Sequence, residues 1–523
     1  MKKYLLTIYF IFCITAIFAE IKMSKIFSDN MMIQQNQPVE IWGNSDANSK
    51  IKILAGEVQA ECKADLNGKW RAQLPSAKGS FKPFNIQIFE NGKLAKEIKN
   101  VLRGEVWIAG GQSNMAMGLS GIEGAKEFVA KMQEGNVRYF VHPSPIDKMK
   151  SMKSGFGTQP CEDFIDGSKW ISVDKQNAWG TSAVAFIFAH KLMEKIKAPV
   201  GIVFTAVSGS KMECWVSQQT YETSPDFTLI RKQFAEAFKN YDYKKSLDAF
   251  NAKVKKYNDD KKAGKKNLPP EWTVRDFMRP WADSPYMWKS PYMFYNIRIY
   301  PMRNYTAKGV IWYQGESNKA EGFVDAFKCL IGQWRKYFNN SKLPFICVQL
   351  PSYDSTQWPE IRKAQKCVAY TIPQTYIVPT LDTGNRKDIH PTDKMKIGER
   401  LAKKASMFVY GNLKNCKASC EVGKIEFINK GVKISFNDKP IIKGKLRGFE
   451  VLTNGKWISI DENIDMKIEK SECICDQWYV YLQFPAIKNV DGVRYLWKGW
   501  SKPDVCLFGA DDLPVFPFEC KKK

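Results

Sequence analysis

Residues 105–119, EVWIAGGQSNMAMGL, begin as a strand and then break. The run 106–109 is apolar and of strand length, Gly110 and Gly111 form a turn that bulkier residues could not make, and 115–119 read as the first turn of a helix. Ser113 then stands at the carboxyl end of a strand, the edge where open α/β sheets usually bind ligands, beside the free N–H groups of a helix start. It is a candidate nucleophile. The competing reading makes it an N-cap serine with no chemistry of its own.

The same grammar recurs downstream. The run APVGIVFTAVSGS ends in Ser208, Gly209 and Ser210, and KGVIWYQGESN ends in Gln314, Gly315, Glu316, Ser317 and Asn318. Each follows a buried-strand run, and helical spacing surrounds them in TSAVAFIFAHKLMEKIK and FVDAFKCLIGQWRKYF. Strands alternating with helices predict a mostly parallel sheet covered by helices, which would bring all three ends to one edge. A fourth stretch, LDTGNRKDIHPTDK at 381–394, follows the strand-like TYIVPT.

Serine chemistry needs a base for the hydroxyl proton, a group that orients the base, and donors for an oxyanion. Only three histidines compete for the base. His190 falls on the packed side of a helical run and reads as structural, whereas His142 lies in the loop VHPSP. His390 is followed by Pro391, which holds it out of helical geometry, and it is preceded by Asp388. His390 is the expected base. Asp388 either orients it or bonds only to loop backbone, which would leave a dyad aided by a carbonyl or by Asp382.

The rest of the chain frames this centre. With 523 residues, several domains are expected. Lys2 and Lys3 precede an apolar run that ends near Ala19, so 1–19 read as a signal peptide and the product as secreted or periplasmic. No later stretch is long and apolar enough for a membrane span. Residues 20–102 carry short alternating runs separated by Gly, Asn and Asp, as expected of a β-sandwich-like domain, and the β grain returns over 413–523. The catalytic region is 103–412, with a lysine- and aromatic-rich insertion at about 216–290. Removing Cys13 leaves twelve cysteines, which permits disulfides without fixing their pairing; Cys416/Cys420 and Cys473/Cys475 share the carboxyl-terminal region. No C-x-x-C occurs and the histidines are scattered, so neither a metal nor another cofactor is expected. The net charge of +25 favours acidic partners. Much of it sits in 243–267, where it fits a solvated helical face better than a nucleic-acid groove, so no nucleic-acid partner is expected.

The motifs taken together resemble the SGNH-hydrolase superfamily, and more closely its sialate O-acetylesterase-like branch. GQSNM stands at 111–115, SGSKMECW at 208–215, WYQGESN at 312–318 and DIHP at 388–391. The likeness extends to FSDNMMIQQNQPVEIWG near the start and to DGVRYLWKGWSKPDVCLFGADDLPVFPF near the end. It implies a three-layer α/β/α domain flanked by β-sandwich-like domains, and a secreted serine esterase that removes O-acetyl groups from sialic acid or a related glycan. An acetylxylan or other polysaccharide acetylesterase is the alternative, and a non-catalytic carbohydrate-binding protein a second. By this resemblance Ser113 is the nucleophile, His390 the base and Asp388 its partner; the backbone N–H groups of Ser113 and Gly209 and the Gln314 amide hold the oxyanion. Gln112, Glu213, Trp215, Glu316 and Asn318 would surround the substrate, with Glu316 and Asn318 also read as ties within their own loop. Much of the superfamily has aspartate three residues before the histidine, where Lys387 stands here. Arg303 or Arg386 could pair with a sugar carboxylate, and Trp215, Trp312 and Tyr313 could stack on a ring. The oligomeric state is open.

Overall fold

The computed structural model describes residues 21–143, 157–239, 241–269, 290–412, 420–460, 464–470 and 478–522. The expected signal peptide therefore lies outside the described residues, as do Cys416, Cys473 and Cys475. None of the nine described cysteines is in a disulfide. No helix among the described residues is long and apolar enough to cross a membrane.

One strand organises the molecule. Lys93–Gly111 runs for 19 residues. Its first half pairs antiparallel with Ser80–Glu90, and its last residues pair parallel with Val200–Phe204 on one side and Gly309–Tyr313 on the other. The strand crosses residue 102 without a break, and one hydrophobic core extends from Ile21 and Ile33 through Trp107 and Val203 to Ala405.

The central sheet runs in the order Lys169–Ser172, Val137–Val141, Val200–Phe204, Lys93–Gly111, Gly309–Tyr313, Phe345–Val348, Thr375–Val378. All neighbours along it are parallel except the first pair. Residues on successive positions of a strand face opposite sides, and the two large indoles exploit this. Trp107 meets Phe188 of helix Ala183–Ile196 at 5.1 Å between ring centroids. Trp312 pairs in register with Gly110 and points the other way, to Phe327 and Trp334 of helix Phe323–Tyr337 at 5.8 and 5.6 Å. Helices thus cover both faces. Ala183–Ile196 packs on Met395–Phe408, and Phe323–Tyr337 packs on Trp358–Thr371.

The expected insertion is helical at first, with Gln218–Thr223, Thr228–Lys239 and the lysine-rich Tyr243–Lys262. Residues 270–289 lie outside the described set. Beyond 420 the chain forms two four-stranded antiparallel sheets around a separate core that includes Val432, Ile434, Phe449, Val451 and Tyr495. This region grips the central fold through Arg362, a buried guanidinium. Its Nε donates to Leu350 O, its Nη1 to Lys498 O and its Nη2 to both Pro351 O and Gly499 O, at 2.8–3.0 Å.

Candidate active site

Glycine decides how the central strand ends. Gly111 has φ +126°, and a Cβ there would lie 2.1 Å from Tyr313 O. A Cβ on Gly110 would enter the Trp312 ring at 2.7 Å. With both side chains absent, Gln112 N–H reaches Tyr313 O at 3.0 Å and the chain turns into helix Ser113–Ala116. Gln112 occupies the N-cap position, and Ser113 is the first helical residue. The N-cap reading of Ser113 therefore fails: the serine sits one residue further on, half-buried, with its side chain not used as a cap.

The other two strand ends close on this turn. After Val200–Phe204, Val207 N–H donates to Gly111 O at 3.0 Å and Ser210 Oγ to the same carbonyl at 3.3 Å, which pins the loop on both sides of Gly209, a residue at φ +71°. After Gly309–Tyr313, Asn318 Oδ1 accepts Met212 N–H at 3.1 Å and the Gln314 amide. A backbone donor thus fixes the Asn318 amide orientation, and Gln314 must donate. Its other amide hydrogen goes to Ser210 O at 3.4 Å. The amide expected to face an oxyanion instead fastens the 208–212 loop to the 314–318 loop.

Asn114 joins the nucleophile turn to the histidine loop. Its Nδ2 donates to Ile389 O at 2.9 Å and to Glu316 Oε1 at 2.5 Å, while its Oδ1 accepts from Lys394 Nζ at 2.5 Å. The side-chain neighbour of Ser113 is thereby bonded to the backbone neighbour of His390. Lys394 is buried and Glu316 half-buried, and enclosure pushes the Glu316 carboxyl up, opposed by the Asn114 bond and the Lys394 charge. Burial pushes the Lys394 ammonium down to about 8, against Glu316, Asp393 and Asp388, which favour its charge. Its Nζ also lies 5.3 Å from the Tyr313 ring. Neither Asn114 nor Lys394 stood out in the sequence. A lysine is almost never expected inside, and the only available signal was the spacing of Lys394 four residues beyond His390.

His390, the expected base, is the least enclosed member, with its side chain 45% exposed. Asp388 Oδ1 accepts the His390 backbone N–H at 2.8 Å and lies 3.8 Å from Nδ1. That is ion-pair range and beyond hydrogen-bond range. The carboxylate therefore shapes the turn and also acts on the ring through its field. Burial lowers the imidazole below its ordinary value of 6.5; Lys394 adds to this and Asp388 opposes it. Asp382, the other carboxylate considered, is held by both Nη atoms of Arg400 at 2.7 Å. From below, Asp393 accepts Gly384 N–H at 3.1 Å and Lys502 Nζ at 3.0 Å, so the carboxyl-terminal region braces the histidine loop.

The remaining expected residues divide. Gln112 is buried and reaches Ser317 Oγ with its Nε2 at 3.4 Å, which ties the serine turn to the 314–318 loop. Glu213 and Trp215 are buried as well. Trp215 is fully enclosed against Trp312 at 5.8 Å and donates Nε1 to Ser210 Oγ at 3.0 Å. It supports the loop and is no platform for a sugar ring. Trp312 and Tyr313 are buried too. Arg303 is paired with Glu162, and Arg386 with Asp354 at 3.1 Å, so neither offers a free guanidinium. His190 is structural: it accepts Gln133 N–H at 3.1 Å and its ring sits 5.2 Å from Phe128.

Residues 279–407 match the family described as carbohydrate esterase, sialic acid-specific acetylesterase. Rat (Rattus norvegicus) sialate O-acetylesterase is 24% identical over 554 residues, covering 95% of this chain and 93% of that protein, and the mouse (Mus musculus) protein is 25% identical with 94% and 93% covered. Among solved structures, a carbohydrate acetylesterase from Xanthomonas citri superposes with a TM-score of 0.74 at 24% identity, covering 96% of this chain and all of that one. A parallel sheet with helices on both faces, and a serine turn joined to a histidine loop at its carboxyl edge, define the class: this is a carbohydrate esterase. Residues 279–407 carry the sialic acid-specific acetylesterase match, and over nearly its whole length the chain is similar to sialate O-acetylesterases.

Proposed function

We propose that the protein hydrolyses O-acetyl esters of sialic acid or a closely related glycan through an acetyl-enzyme, within an SGNH-type catalytic layer, after export directed by its basic and apolar amino terminus. Ser113 Oγ attacks the acetyl carbonyl while His390 takes the hydroxyl proton. His390 then returns that proton to the leaving sugar oxygen, and afterwards draws one from the water that attacks the acetyl carbon and passes it to Ser113 Oγ as acetate leaves. The Ser113 and Gly209 N–H groups receive the oxyanion. Such donors are each worth about 3–4 kcal/mol to the transition state. Asp388 holds the histidine turn and favours the imidazolium that forms. Gln112, Glu316, Asn318, Gln314, Glu213 and Trp215 keep the loops in register.

The observation that carries this reading is the Asn114 side chain bonded to Ile389 O, because it ties together the residues next to Ser113 and His390. The test is a stopped-flow assay with p-nitrophenyl acetate, followed by acetate release from acetylated sialic acids and acetylated xylo-oligosaccharides. A burst of nitrophenol equal to the enzyme concentration, absent in Ser113→Ala, is expected. Turnover retained by that variant would refute the assignment, and faster release from the xylo-oligosaccharides would favour a neutral polysaccharide as substrate.

A further inference from the structure

The segment that carries Ser113 returns to the histidine loop a second time, at a place the proposed chemistry does not use. Further along it, Glu123 meets Thr392. The Glu123 backbone N–H donates to Thr392 O at 3.2 Å, and Thr392 Oγ1 donates to Glu123 Oε1 at 2.5 Å. The clasp is reciprocal, backbone to backbone and side chain to side chain. Both residues are exposed, and bonds between exposed side chains add little to stability. What this one can do depends on where it sits in the chain.

On the serine side, the arc leading to Glu123 is fixed along its length. Met117 N–H donates to Ser113 O at 2.8 Å, Leu119 N–H to Thr181 O at 2.9 Å and Gly121 N–H to Gly118 O at 3.0 Å. Leu119 is fully buried and Ile122 nearly so, which pins the arc to the core just before Glu123. On the histidine side, Pro391 stands between His390 and Thr392. Its ring holds φ at about −65° and restricts the residue before it. Few soft torsions therefore separate Thr392 from the imidazole, and a shift at one is passed to the other. Asn114, itself buried, already holds Ile389 O at 2.9 Å. His390 is thus gripped on both sides, at 389 by a buried amide and at 392 by an exposed carboxylate, and both come from the serine's own segment. Asp388 Oδ1, 3.8 Å from Nδ1, is too far to bond the ring, so the backbone decides where the ring stands.

We infer that Glu123 is a positioning residue of the esterase: through Thr392 it sets the separation between Ser113 Oγ and the His390 imidazole. Rate is the property that reads such a separation, because a misplacement of about 1 Å can cost about a hundredfold. The same imidazole serves acylation and deacylation, so a loosened clasp slows both steps and leaves substrate binding alone. Glu123 acts as an acceptor, a task that a glutamine Oε1 also performs. The inference rests on the proposed esterase function and adds to it a residue that touches neither substrate nor the reacting atoms.

The test follows nitrophenol release from p-nitrophenyl acetate, burst and steady state. Glu123→Ala and Thr392→Val should each lower the burst rate and kcat about tenfold, with KM within about twofold of wild type. Both positions are exposed, so melting should stay within about two degrees of wild type. The double variant should lose no more than either alone, since both break one contact. Glu123→Gln and Thr392→Ser should keep at least about half of the wild-type rate, because each retains the bonding group. Wild-type rates in Glu123→Ala, losses that multiply in the double variant, a loss confined to KM, or equal losses in Glu123→Gln and Glu123→Ala would overturn the clasp. Absence of nitrophenol release in wild type would instead sink the esterase reading. The clasp is then decided by the imidazole NMR signals of His390. Glu123→Ala and Thr392→Val should move them alike while Glu123→Gln leaves them in place, and signals unmoved in all three would refute it.

Discussion

The two halves of the site are held by different means. On the serine side, three parallel strands end together; Gly111, Ser210, Gln314 and Asn318 are bonded in a buried chain, and Asn114 is bonded to Glu316. On the histidine side, a half-exposed ring sits on a loop held by the Asp388 carboxylate, by Asn114 on Ile389 O and by Lys502 of the carboxyl-terminal region on Asp393. In the proposed mechanism the densely bonded half presents donors to the developing charge, and preorganisation is where electrostatic catalysis gets its strength. The half proposed to carry the proton is the more exposed one.

Removing the hydroxyl tests the rigid half most sharply. Ser113→Ala should cut kcat at least about a thousandfold, with a melting temperature within about two degrees of wild type, since one half-buried oxygen that caps nothing is lost. Gly111→Ala attacks the frame instead. A methyl at φ +126°, 2.1 Å from Tyr313 O, should destabilise by more than about 4 kcal/mol in urea unfolding, or prevent folding, because the strand pair must part to admit it.

Lys394 links the halves, and its loss should be felt in rate more than in stability. Lys394→Met takes the compensating charge away from half-buried Glu316 and leaves Asn114 Oδ1 without its donor, the latter costing about 1–3 kcal/mol. We expect kcat to fall about tenfold with KM little changed. The pH profile separates this from simple damage. His390 must be neutral to accept a proton, and its value lies below 6.5, so activity should rise through an acid limb below pH 6.5. As Lys394, held down to about 8, loses its proton above that pH, Asn114 loses a charged donor and the rate should decline. Glu316, Asp393, Asp388 and His390 are the charged or titratable groups around it. The alkaline decline should be absent in Lys394→Met; if it persists, another group titrates there.

Much of this was legible in the sequence, for physical reasons. The glycine pair and the strand-to-helix switch at 110–115 are local signals, as is the repetition of that switch at 208 and 314 and the proline that removes His390 from helical geometry. Helices Ala183–Ile196 and Phe323–Tyr337 showed themselves by period. What escaped depends on partners far away in the chain. Helix Met395–Phe408 has neither a capping serine or aspartate nor an acid in its first turn, so it lacks a start signal, whereas Trp358–Thr371 shows only Pro359 and Glu360. The long strand Lys93–Gly111 serves two sheets, and no turn residue marks the change at 102. Trp215 gave no hint of which side it would occupy, and the buried end of Lys394 is set by a neighbour at residue 114.

The smallest expected effect is the most informative about the loose half. Asp388→Asn keeps an oxygen that can accept the His390 N–H, and removes only the charge 3.8 Å from Nδ1. The turn should survive, so kcat should fall less than about tenfold. Because the carboxylate raises the imidazole pKa, its neutralisation should move the acid limb to lower pH. Asp388→Ala takes away the acceptor as well, and should cost several-fold more than the asparagine variant while shifting the limb by a similar amount. Equal losses in both would mean that charge alone matters. A loss approaching that of Ser113→Ala in the asparagine variant would mean that the carboxylate closes on Nδ1 during turnover, and the histidine half would then be as tightly organised as the serine half.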